Sequence, residues 1–135
     1  MGAPWHEVGV TGLAITFDTG ALIALERRKE RAMKVYTHAR DRGLIVAAPN
    51  VILAEWWRER TDRREVVLRG VLVERVSDET AKLAGVALGR VPGATTIDAI
   101  VAAFAVARSG IVYTSDVLDF ESLRTFFPAL RVFAI

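Results

Sequence analysis

The 135-residue chain contains no cysteine. That absence excludes a disulfide scaffold, a cysteine-ligated zinc finger and thiol catalysis. It also fits a reducing cytoplasm, the compartment expected here. Histidine is nearly absent: His6 and His38 are isolated and not spaced for joint ligation. No apolar run reaches the ~18 residues that a membrane span needs, so no membrane association is expected. The opening stretch MGAPWHEVGVTG has no basic segment leading into an apolar one, unlike a signal peptide. Residues 1–12 therefore read as a flexible extension or a remnant of expression cloning. No repeat, low-complexity tract or linker divides the rest, and 13–135 reads as one domain.

What is present is a globular composition, 52% hydrophobic and 25% charged. Five short apolar runs read as strands: LAITF, LIVAA, VLVERV, IVYTS and LRVFAI. Helical segments separate them. DTGALIALERRKE carries a cap at Asp18 or Thr19, and RAMKVYTHARDRG stops at Gly43. PNVILAEWWRER opens on a proline, and DRREVVLRG ends at Gly70. SDETAKLAGVALGRV follows a Ser77 or Asp78 cap, TTIDAIVAAFAVARSG is rich in alanine, and DFESLRTFF ends before Pro128. Strands alternating with helices predict an α/β domain with a mainly parallel sheet of four to five strands, covered on both faces.

The charges are unevenly distributed. From Arg27 to Arg75 there are 13 Lys or Arg against 7 Asp or Glu, while the remainder has 5 against 9. Basic residues coating solvated helices explain this adequately. A polyanion held beside a cation-dependent site explains it too.

Several acids stand where chemistry could use them. Asp18 follows the first strand and is also a good helix N-cap. Glu55 lies at the edge of a buried helical side, where pairing with Arg58 is the ordinary alternative. Asp98 occupies the third helical position after Thr95, close to a capping box. The alanines at 99, 102, 103, 105 and 107 allow that helix to approach its neighbours closely, which would carry Asp98 inward. Asp116 and Asp119 follow the strand IVY, where either serves as a turn or cap residue. In open parallel sheets, however, ligands bind beyond the carboxyl ends of strands. Four independent caps need not converge there, whereas metal ligands must. Converging carboxylates repel, at ~4 Å by roughly 4 kcal/mol for an effective dielectric near 20, and so call for protons or a cation. An oxygen-only set selects Mg²⁺ or Mn²⁺ over Zn²⁺, and such sites support phosphoryl chemistry.

Taken in order, ITFDTGALIAL, APNVILAEWW, TTIDAIVAAFA and VYTSDVLDF resemble the motifs of PIN-domain ribonucleases, more narrowly the VapC toxins of VapBC toxin–antitoxin pairs. The resemblance spans roughly Leu13 to Ile135. It implies a PIN-like three-layer α/β/α sandwich and a Mg²⁺- or Mn²⁺-dependent endoribonuclease. Its metal-binding acids would be Asp18, Glu55, Asp98 and Asp116, with Asp119 as an auxiliary ligand and Thr114 holding a water or an acid. It further implies an RNA substrate, a homodimer, and a cognate VapB-type antitoxin completing a heterotetramer or larger assembly. Gly20 departs from the pattern, in which a polar residue is frequent, and leaves one supporting hydrogen bond unassigned. A catalytically silent PIN-like binding module is the alternative, although the complete set of acids argues against it. A receiver domain would want a lysine after the last core strand, and none follows Lys82. A haloacid-dehalogenase phosphatase would want an acid at Gly20. Of the adjacent tryptophans, Trp56 is expected in the core and Trp57 at an interface.

Overall fold

The computed structural model describes residues 13–135. The reading of residues 1–12 lies outside them. Five strands are present: β1 (Ala14–Phe17), β2 (Ile45–Pro49), β3 (Leu72–Glu74), β4 (Ile111–Thr114) and β5 (Arg131–Ala134). All their pairings are parallel, in the order β3-β2-β1-β4-β5. The chain builds outward from β1 in one direction, then returns to add β4 on the other side. The order therefore reverses between β1 and β4, the place where such sheets open a binding crevice.

Seven helices connect the strands among the described residues: α1 (Thr19–Glu26), α2 (Glu30–Asp41), α3 (Ile52–Trp56), α4 (Asp62–Arg69), α5 (Asp78–Leu88), α6 (Thr96–Val106) and α7 (Val117–Leu123). None is long and apolar enough to cross a membrane. Helix α1 packs on β1 and β4 and gathers α2, α3 and α4 around it. Helix α6 packs on β1, β2 and β4, with α5 and α7 against it. The three-layer α/β/α arrangement anticipated from the sequence is thus present, with the sheet parallel throughout.

Side-chain oxygens accept from backbone N–H groups at the starts of four helices: Asp18 for α1, Thr61 for α4, Ser77 for α5 and Thr95 for α6. Helix α3 is shorter than PNVILAEWWRER suggests and stops at Trp56. There the Glu55 carbonyl accepts from the Arg58 side chain at 3.2 Å. Trp56 is core, as expected, and its Nε1 donates to Glu26 at 2.8 Å. Trp57 is half-buried and meets the Trp56 ring edge-on. Part of the basic segment proves structural. Arg63 donates to the Leu25 and Glu26 carbonyls that end α1, and Arg64 pairs with the Glu26 carboxylate at 3.2 Å.

Helix α6 is central because its small residues admit close neighbours. Ala99, Ala102, Ala103 and Ala105 are all at most 1% exposed, and α5 presents the buried Ala84 and Ala87. A larger side chain there has no space without displacing backbone. Ala102→Leu should destabilise the fold by about 1–3 kcal/mol. The check is urea unfolding, which should show a lower midpoint at an unchanged slope. An unchanged midpoint would mean that the interface has room.

Candidate active site

The reversal of strand order brings the ends of β1 and β4 side by side. Asp18, immediately after β1, is 7% exposed, and Thr114, the last residue of β4, is fully buried. The Asp18 carboxylate is held at both oxygens. Oδ1 accepts from the Ala21 N–H at 2.8 Å, which is the α1 cap, and Oδ2 accepts from the Thr114 hydroxyl at 2.6 Å. The same hydroxyl accepts from the Asp116 N–H at 2.8 Å. Thr114 thus ties the first and last acids of the set together. The cap reading of Asp18 is correct, and the capping carboxylate also lines the cavity described below.

Glu55 arrives from α3, exposed, and its Oε1 accepts from the Thr19 hydroxyl at 2.6 Å. Its expected partner Arg58 binds the Glu55 backbone rather than its carboxylate. Asp98, in the first turn of α6, is half-buried at the surface of the domain and not deep within it. The small-residue packing begins one residue later, at the fully buried Ala99. Asp18, Glu55, Asp98 and Asp116 all line one cavity of about 330 Å³, together with Thr19, Gly20, Arg58 and Ser115. Asp119 does not line it. It lies within the first turn of α7, which Asp116 precedes, so Asp119 is not that helix's cap.

The acids sense one another electrically. Burial, opposed by the bonds from Thr114 and Ala21 and reinforced by Asp98 and Asp116, raises the Asp18 carboxyl from the ordinary 3.8 to about 6. Asp98 is also raised, first by burial against a bond from Thr95, then by repulsion from Asp119, Glu55 and Asp116. Asp116 is raised mainly because Asp119 lies within its hydrogen-bonding reach. Among the described residues, no three Asp, Glu, His or Cys side chains are drawn into a ready metal-holding group. Four carboxylates facing one cavity nevertheless form an all-oxygen donor set, which fits a hard divalent cation in kind.

Three cavity residues escape a motif-by-motif reading. Thr19 was visible only as an alternative cap, yet it anchors Glu55. Arg58 was visible only as a partner for that acid. Ser115 accounts for Gly20: a Cβ at Gly20 would fall 2.1 Å from the Ser115 hydroxyl oxygen, so Ser115 fills the space that a side chain at 20 would take. A larger cavity, about 550 Å³, opens beside the first residues of β1 and β2. Its charges include the paired Glu74 and Arg108, at 3.0 Å, and it gathers no comparable set of acids.

No family model and no curated protein sequence matches this chain. Solved structures do. The chain superposes on VapBC2 from Rickettsia felis, crystallised bound to a DNA fragment from its promoter, with a TM-score of 0.72 and 12% identity, covering 91% of this chain and 99% of the other. It also superposes on VapC20 from Mycobacterium tuberculosis, a toxin that cleaves the sarcin–ricin loop, with a TM-score of 0.57 and 21% identity over 75% of this chain and 87% of that one. The fold is that of a VapC-type PIN domain.

The Asp18 environment makes a pH-dependent prediction for the metal-free protein. Its folded-state value, about 6, lies above the ordinary 3.8, so the folded state holds the proton more tightly. Stability from this group is therefore full below pH 3.8 and is lost as pH rises through 6. The charged form costs about 3 kcal/mol at neutral pH. In EDTA, Asp18→Asn should raise the urea midpoint at pH 7.5, with the gain shrinking towards pH 4.5. An equal effect at both pH values would contradict the assignment.

Proposed function

We propose that this protein is a metal-dependent endoribonuclease toxin of the VapC type. The observation that carries the reading is that four acids, from four segments distant in sequence, line one cavity at the switch point of a VapC-type fold. Asp18, Glu55, Asp98 and Asp116 would hold Mg²⁺, with Mn²⁺ able to substitute, and Asp119 would assist. When bound, such an ion offsets the charge of the acids and of the phosphate and supplies an activated water for phosphodiester hydrolysis.

The chain's own residues do the positioning. Thr114 fixes the Asp18 carboxylate and, through the Asp116 N–H, the start of the following segment. Thr19 holds Glu55 towards the same cavity. Arg58 is a basic side chain on the cavity wall, suited to a phosphate oxygen. The exposed basic residues of the Arg27–Arg31 turn supply attraction for an RNA backbone. A homodimer inhibited by a cognate VapB-type antitoxin completes the reading, supported by the likeness to VapBC2.

Asp98→Asn should reduce RNA cleavage by roughly 100-fold or more, the scale for losing one positioned group. Its circular dichroism should match the wild type, and its unfolding midpoint should be no lower. EDTA should abolish wild-type cleavage, and added Mg²⁺ or Mn²⁺ should restore it. Mapping RNA ends after brief expression of wild type and Asp98→Asn identifies the substrate. RNA binding with no cleavage under any of these conditions would instead identify a silent binding module.

A further inference from the structure

Three aromatic residues run across the sheet in register. Phe17 on β1 pairs with Tyr113 on β4, and Tyr113 with Phe133 on β5, so all three side chains share one face. Phe17 is fully buried, Tyr113 half-buried, and Phe133 41% exposed. The Tyr113 and Phe133 rings are stacked, with centroids 5.4 Å apart and planes inclined by 27°. An aromatic ladder that starts in the core thus ends in solvent. It does so near the acids: Tyr113 immediately precedes Thr114, and Phe133 is two strands, about 10 Å, from β1.

The surroundings are basic. Arg131, two residues before Phe133, is exposed on the same face. Arg31 reaches across to β5, where its Nε donates to the Ala134 carbonyl at 3.0 Å. Arg27, Arg28 and Lys29 are exposed in the turn just before it. Arg28 is the one non-glycine residue with positive φ, 55°, among the described residues. The Arg28 N–H bonds the Leu25 carbonyl, and the Lys29 N–H bonds the Ala24 carbonyl. That pattern is a Schellman helix ending, in which the residue at Arg28 is normally glycine. The chain keeps a cation where glycine would be less strained.

We propose that Phe133 and Tyr113, with Arg28, Arg31 and Arg131, form a platform for single-stranded RNA beside the cleavage site. An unpaired base stacks on the Phe133 ring, and the phosphates on either side lie along the arginines. Exposed aromatic faces flanked by cations are what sequence-tolerant single-strand recognition requires. A second copy of this chain would set the same positive charges against one another. The proposal rests on the ribonuclease reading for its substrate, but it is tested by binding rather than cleavage.

The experiment measures anisotropy of a fluorescein-labelled 15-nucleotide unstructured RNA, and of the same sequence as a duplex, with the full chain in EDTA. Phe133→Leu should weaken single-strand binding at least about 5-fold and leave duplex binding unchanged, while Phe133→Tyr should retain it. Arg28→Gly should weaken binding and reduce the slope of log Kd against log salt by about 0.7, while raising the urea midpoint. Unchanged single-strand affinity in Phe133→Leu and Arg28→Gly would overturn the platform and leave the nuclease reading standing. A change of oligomeric state in Phe133→Leu without a change in RNA affinity would also overturn it, in favour of a protein interface. Platform effects in a wild type that never cleaves RNA would uphold the platform and remove the nuclease.

Discussion

Asp18 is a carboxylate almost removed from water and carrying two demands. It must cap α1 through the Ala21 N–H, and it must face the other acids at the strand ends. Burial opposes its charge, and the Thr114 hydroxyl only partly offsets that opposition. Much of the remaining architecture serves this residue. β4 must lie beside β1 for Thr114 to reach it, which requires the strand order to reverse there. α6 must lie close to the sheet for Asp98 to enter the same cavity, which its alanines permit. Asp18 is not isolated: its charge is opposed by burial and further by Asp98 and Asp116, an arrangement that nearby positive charge would relieve.

The basic residues divide into two groups with different duties. Arg63 and Arg64 end α1 and neutralise Glu26, so they are committed to holding helices together. Arg60 is engaged by Asp62 and Glu65. Arg58 lines the acidic cavity, while the cations from Arg27 to Arg31 lie exposed in and just beyond the turn after α1. Three of the basic residues counted over Arg27–Arg75 are thus engaged by protein groups, and Arg58 is the one that lines the acidic cavity.

The class of fold was legible because its strands are apolar runs bounded by clear helix signals, and every helix with a side-chain cap starts at a residue whose type announces it. The convergence of Asp18, Glu55, Asp98 and Asp116 was legible through motif order, since each acid taken alone has an adequate local explanation. Other features depend on tertiary placement and leave no periodic trace. Helix α3 ends at Trp56 although no glycine or proline in PNVILAEWWRER stops it there. The fit of Gly20 against Ser115 joins residues far apart in the chain. The exposure of Phe133 follows from its place on the edge strand, which LRVFAI as a string cannot reveal.

The Thr114–Asp18 hydrogen bond joins residues 96 positions apart. Synthesis must reach residue 114 of 135 before the two can meet. A chain interrupted between Asp98 and β4 carries Asp18, Glu55 and Asp98 but lacks the strand that supplies Thr114 and leads into Asp116. Parallel sheets built on such distant pairings are also slow to form. The acids of the cavity are therefore brought together late in synthesis, when β4 and the residues after it place Thr114 and Asp116 beside Asp18.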